Sequence, residues 1–212
     1  MHVVITGANR GIGKALADRY RARGDTLTGT ARDNSAQVVL DVTDPSHHDE
    51  LATRLKGQPV DLLICNAGVY LDKGQDFDGY PAEMWAQSFA TNVTGVFLTI
   101  QSLLPNLRAA RGKVAILSSQ MASHTRALGG SYIYRASKAA VLNLGRNLAT
   151  DLSPEGIAVG IYHPGWVQTD MGGTAAEITT DQAVNGLIDR FDALSPETTG
   201  CFETWDGRRH AY

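Results

Sequence analysis

The chain has 212 residues, 43% of them hydrophobic and 19% charged, the balance of a folded globular protein and not of a disordered one. Its 19 Lys and Arg against 22 Asp and Glu leave a formal charge of −3, which argues against a nucleic-acid binder. No apolar run reaches the roughly 18 residues that a membrane helix requires, and the N-terminus turns glycine-rich too early for a signal peptide. Length favours one domain over residues 1–212. The two cysteines, Cys65 and Cys201, lie far apart and read as reduced, buried thiols of a cytoplasmic protein.

Short β-rich runs alternate along the chain with segments of helical period, the pattern of a parallel sheet covered on both faces. His2-Val3-Val4-Ile5-Thr6 is the first predicted strand. After a glycine-rich turn, Ile12, Ala15, Leu16 and Tyr20 share one helical face. Strands follow at about 25–30 and 37–40, then Asp44-Pro45 reads as a helix cap with proline at the first helical position. Residues 60–65 form a buried strand, about 81–108 one long helix, and 113–117 the next strand. A helix at about 133–152, a strand at 157–162, a helix at 181–191 and a strand at 201–205 complete the chain. The expectation is an α/β, Rossmann-type, doubly wound three-layer sandwich with a parallel seven-stranded sheet. His47-His48-Asp49-Glu50 reads as a solvated helix start and not as a metal site, because adjacent helical side chains diverge by about 100°.

Thr6-Gly7-Ala8-Asn9-Arg10-Gly11-Ile12-Gly13 joins the first strand to the first helix. There a dinucleotide pyrophosphate can rest on backbone N–H groups at a helix N-terminus, and glycine lets it approach the chain. An NAD site places an acid at the end of the second strand, where this chain reads Thr30-Ala31-Arg32-Asp33. Arg32, with Arg10 as a second cation, favours the 2′-phosphate of NADP over NAD. The alternative is that both arginines are surface residues and Asp33 supplies the acid.

Tyr134-Arg135-Ala136-Ser137-Lys138 sets a phenol and an amine four residues apart, on one helix face. A neighbouring ammonium stabilises phenolate, which would bring a group with a free pKa of about 10 within reach of acid–base work. Ser118-Ser119 ends a strand at the edge where open α/β sheets bind ligands. A hydroxyl there can hydrogen-bond a substrate oxygen as charge develops on it. No G-x-S-x-G motif supports a serine hydrolase. His163 reads as structural beside the nicotinamide end, with substrate contact as the lesser option. His124 and Arg126, after Ser119, could meet a polar or anionic substrate.

Taken in order, Thr6-Gly7-x3-Gly11-x-Gly13, Asn66-Ala67-Gly68, Asn92, Ser119, Tyr134-x3-Lys138 and Pro164-Gly165 resemble the short-chain dehydrogenase/reductase family, in its small C-factor-like branch. The resemblance spans about residues 3–170. It implies hydride transfer between a nicotinamide cofactor, NADP(H) by the arginine argument, and a small carbonyl or alcohol substrate. Asn92, Ser119, Tyr134 and Lys138 would be catalytic: Tyr134 as general acid or base, Ser119 polarising the substrate oxygen, Lys138 holding the ribose and lowering the tyrosine pKa, Asn92 holding a water. Gly7, Asn9, Arg10, Gly11, Ile12 and Gly13 would bind cofactor with Arg32. So would Asp41 and Val42 at the adenine, Asn66, Ala67 and Gly68 at the ribose, and Pro164, Val167 and Thr169 at the nicotinamide. A homodimer or homotetramer is implied, with no nucleic-acid or membrane partner. Ser119 lies two residues farther from Tyr134 than is common in the family, leaving Ser118 as an alternative, and the lid at about 170–195 is short. A cofactor-holding sensor or signalling protein with little turnover is the competing reading.

Overall fold

The computed structural model describes residues 1–212. Seven parallel strands lie in the order β3-β2-β1-β4-β5-β6-β7. They are β1 His2–Ile5, β2 Thr26–Ala31, β3 Val38–Val39, β4 Leu62–Cys65, β5 Lys113–Leu117, β6 Ala158–His163 and β7 Phe202–Thr204. The expected doubly wound sheet is thus present, with its third strand cut to two residues. Alternation along the strands divides the core. Val4, Leu63, Cys65, Val114, Ile116 and Val159 face one side, where α2 (Pro45–Arg54), α4 (Gly95–Ser102), α5 (Leu104–Ala110) and α6 (Tyr132–Leu152) cover them. Val3, Ile5, Leu62, Ile64, Ala115 and Leu117 face the other, under α1 (Gly11–Ala22) and α7 (Thr180–Ala193). Helix α6 lies so close to β6 that a β-carbon at Gly145 would stand 2.7 Å from Ile161.

Three expectations change. The helix expected over 81–108 is broken into α3 (Ala82–Phe89), a π-helical turn (Ala90–Thr94), α4 and α5. Pro105, in the first turn of α5, cannot donate the backbone bond that would continue α4, so the chain restarts there. The extra residue of the π turn rotates Asn92 into the interior, where it is 1% exposed. The segment expected as lid, 170–195, also divides. Ala183, Val184, Leu187 and Phe191 bury α7 in the core beside α1, leaving only residues 170–179 over the cleft. Finally, His48 is buried and His47 half-buried. The backbone N–H of Asp41 donates to His47 Nδ1 at 3.0 Å, and buried His48 bonds the carbonyl of Val42. Both rings brace the chain after β3, and no group of three potential metal ligands forms.

The order places β1 beside β4, although β2 and β3 intervene in sequence. The connections after these two neighbours run to opposite sides and leave a crevice at their carboxyl ends. Both cysteines are free, Cys65 buried in β4. No helix is long and apolar enough to cross a membrane.

Candidate active site

The crevice between β1 and β4 is laced by two side chains. Thr6 Oγ1 accepts from the backbone N–H groups of Asn66 and Ala67, each at 3.0 Å. The Asn66 amide donates back to the carbonyls of Thr6 at 2.8 Å and Gly7 at 3.0 Å. Gly7 adopts φ +67°, and a β-carbon at Gly13 would collide with its carbonyl oxygen. Gly13 therefore serves the close seating of α1 against the loop and does not itself line the cleft. Arg10 is the N-cap residue of α1, with no side-chain cap, and the N–H groups of Gly11, Ile12 and Gly13 meet no acceptor. They form the open anion-binding end of a helix.

Along the cleft from this loop lie Asn9, Arg32, Asp41, Ala67 and Gly68, then Tyr134, Lys138, Pro164 and Thr169. A glycine cradle, free N–H groups and a cation at one end, with a phenol and an amine at the other, suit a dinucleotide. Asp33 is occupied. It accepts from the N–H of Ser35 at 3.0 Å and from its hydroxyl, and Asn9 donates to the same hydroxyl oxygen. Arg32 carries no ion pair. Arg10 also lines the cleft, and its guanidinium reaches Asp170 at 3.4 Å across the mouth. Val42 departs from expectation. Its side chain packs in the core against Gly95, where a β-carbon would stand 2.7 Å away. Val167 is buried and bridges to Ile178, bracing the short lid.

At the chemical end the two serines differ in their partners, and Ser118 is the one that lines the cleft. The Ser118 hydroxyl donates to the carbonyl of Lys138 at 2.9 Å, a bond that ties β5 to α6. Ser119 Oγ accepts from the N–H of Met121 at 3.1 Å and is near enough to the Tyr134 phenol to pull its pKa down. Lys138 Nζ donates to the carbonyl of Leu117 at 2.9 Å and stands 5.7 Å from the centre of the Tyr134 ring. Burial dominates the electrostatics of the pair. It pushes the Tyr134 phenol up to about 12, with Ser119 pulling the other way and the nearby Tyr70 and Asp72 adding to the rise. Burial likewise lowers Lys138 to about 8. In place of the expected depression by the lysine, burial raises the tyrosine pKa, because low dielectric disfavours both charged forms.

Asn92 is close to Lys138, since a β-carbon at Gly68 would be 3.3 Å from Asn92 Oδ1 and 3.5 Å from Lys138 Nζ. Its amide is already engaged, accepting from Val69 N and donating to Val69 O and Ser137 Oγ. A water held there would have to use the second lone pair of Oδ1.

Two important residues carry no signal in the sequence. Ser131 precedes α6 at φ +48° and offers no side-chain cap. Asp72, fully buried and distant in sequence, caps α6 instead, accepting from Ile133 N at 2.8 Å and Tyr134 N at 3.2 Å. Tyr70 stacks on the Tyr134 ring with centres 4.1 Å apart and planes at 18°. Segment 66–72 thus starts at the glycine loop, passes Asn92 and ends by fixing the phenol.

Residues 1–179 match the family described as short chain dehydrogenase. The chain is similar to C-signal of Myxococcus xanthus, with 41% identity over 158 residues, 74% of this chain and 95% of that protein. It is also similar to 1-hydroxy-2-glutathionyl-2-methyl-3-butene dehydrogenase of Rhodococcus sp. (strain AD45), with 33% identity over 97% of this chain and 96% of that one. Among solved structures, an NADPH-bound carbonyl reductase from chicken fatty liver superposes with a TM-score of 0.90, at 30% identity, covering 100% of this chain and 98% of that one.

Two predictions follow from the geometry of α6. Asp72→Ala leaves two buried N–H groups at the helix start without an acceptor, and is predicted to cost roughly 1–3 kcal/mol in urea unfolding. A loss below about 0.5 kcal/mol would contradict the capping role. Lys138, with its pKa lowered from 10.5 to about 8, takes up protons on unfolding between those values. Its burial therefore destabilises the protein most below about pH 8 and progressively less above it. Lys138→Met is expected to be more stable than wild type at pH 7, by up to about 3 kcal/mol minus the lost bond to Leu117, with the gain shrinking toward pH 10. A gain that stays flat over that range counts against a buried, depressed ammonium.

Proposed function

Because the chain belongs to the short-chain dehydrogenase family, we propose that it is an NADP(H)-dependent oxidoreductase that interconverts a small carbonyl compound and its alcohol. The observation that carries this reading is the meeting, on one cleft, of the open end of α1 with the buried Tyr134 and Lys138, beside Ser119. Backbone N–H groups of Gly11 and Ile12 would hold the pyrophosphate, and Arg32 the 2′-phosphate. Asn66, Ala67 and Gly68 would flank the ribose, and Pro164 and Thr169 the nicotinamide. The bound cofactor supplies or accepts the hydride.

Tyr134 handles the proton. Its phenol, held neutral by burial, donates to the carbonyl oxygen in reduction and recovers the proton in oxidation. The neutral form suits reduction at pH 7. Ser119 steadies the phenol and polarises the substrate oxygen. Lys138 holds the ribose hydroxyls, while Asp72 and Tyr70 keep the phenol in place. Similarity to a protein named C-signal supports a second reading, a signalling protein that holds the cofactor with little turnover. The presence of Ser119, Tyr134 and Lys138 together favours the enzyme, since holding a nucleotide needs no proton donor.

NADPH consumption with a panel of aldehydes, ketones and quinones tests the proposal. Tyr134→Phe is predicted to lower kcat/KM by about 10²–10⁴-fold. Tight NADPH binding with no turnover on any member, and no effect of the substitution, would favour the signalling reading. Arg32→Asp is predicted to shift the NADPH/NADH ratio of kcat/KM toward NADH, by removing the phosphate contact and restoring an acceptor for a ribose hydroxyl. An unchanged ratio would overturn the NADP assignment.

A further inference from the structure

Beside the main cleft, on the same carboxyl edge of the sheet, lies a second and smaller cavity. Gln120 follows Ser119 in the chain, and Gly165 and Trp166 follow Pro164. The linings of the two are therefore adjacent in the chain at the ends of β5 and β6. The outer wall of the second is cationic, formed by Arg126 from the loop after β5 and by Arg208, Arg209 and His210 from the tail after β7. Glu177 is the one carboxylate lining it. Arg208 pairs with Asp206 at 2.8 Å, whereas Arg126 and Arg209 make no ion pair.

The cations are held on a packed tail. Trp205 N donates to the carbonyl of His163 and His210 N to that of Phe202, each at 2.8 Å. The Ser123 hydroxyl donates to the carbonyl of Tyr212, and the Arg146 guanidinium lies 3.9 Å over the Tyr212 ring. His163, the last residue of β6, lines the cavity while only 7% exposed, and its Nδ1 has no hydrogen-bond partner. Buried polar atoms without partners are rare and costly, so this open ring nitrogen, in a cavity that the unpaired Arg126 and Arg209 also line, points to a ligand. Burial, reinforced by the nearby His210, Arg126 and Arg208, lowers the pKa of this imidazole to about 3 and keeps it neutral. A neutral ring retains one N–H to donate.

We infer that this cavity is an anion subsite, binding a carboxylate or phosphate group carried by the substrate whose carbonyl meets Ser119 and Tyr134. The placement of the carbonyl rests on the reductase reading above; the binding of the anion does not. Guanidinium forks suit both anions through paired N–H···O bonds.

Two measurements separate the two claims. In the first, 4-carboxybenzaldehyde and its uncharged methyl ester are compared as substrates of wild type and of the Arg126→Ser/Arg209→Ser double variant. The charged compound is expected to be preferred about tenfold or more in kcat/KM, with the preference falling about tenfold in the variant. Equal ratios in the two proteins would overturn the subsite even if turnover is fast. In the second, glutarate and inorganic phosphate are titrated calorimetrically into both proteins without cofactor. Binding to wild type that is lost in the variant supports the subsite, and the anion that binds identifies the group. Binding of neither overturns it. If no aldehyde is consumed, the reductase reading fails and calorimetry alone decides the subsite.

Discussion

The adjacency of β1 and β4 is the constraint from which the rest of the site follows. Strands buried on both faces need helices above and below, and the order of winding reverses where the two halves of the sheet meet. Connections leaving β1 and β4 on opposite sides open a crevice that no side chain fills. The hydrogen bonds between Thr6 and Asn66 join its two lips, so the glycine loop and segment 66–72 move as one piece. That segment then reaches Asn92 through Val69 and α6 through Asp72. The open end of α1 and the Tyr134 phenol, far apart in the chain, are thereby linked through hydrogen bonds.

Burial gives the phenol and amine their character. Each is removed from water, and each is driven toward its neutral form, the phenol up and the amine down. Ser119 opposes the rise at the phenol. A neutral phenol donates a proton to a forming alkoxide, and a weakly basic amine is responsive to charges brought by a ligand. Depression of the tyrosine pKa by its helical neighbour is a matter of distance as well as spacing. At 5.7 Å from the ring centre and bonded to Leu117, the ammonium exerts less influence on the phenol than the loss of solvent does.

Much of this architecture is legible in local pattern. The seven strands and the glycine loop follow from period and composition, and Asp44 caps α2 with Pro45 at its first turn as expected. The breaks at 90–94 and 103–104 were less legible. A π turn is one residue of slack in an otherwise helical pattern, and its cause, inward placement of Asn92 against Val69 and Ser137, lies in other elements. The lid was overestimated because α7 has the amphipathic face of any surface helix, and only packing against α1 shows that this face belongs to the core. Arg10 reads as a partner for Arg32 because both are cations near the same loop, and its contact with Asp170 across the cleft has no local signal. Asp72 and Tyr70 had no periodicity, motif or spacing to mark them.

The amino-acid sequence by itself determined the kinds of element, their order, the glycine loop and the presence of a phenol and amine on one helix face, since these depend on backbone preference and on side chains a few positions apart. Tertiary structure alone decided what each serine bonds, what caps the helix that carries the phenol, where each arginine points and how burial sets the proton affinities. Those properties arise from groups brought together across the whole chain. Desolvation and through-space charge depend on distance in the folded molecule, and local sequence does not encode that distance.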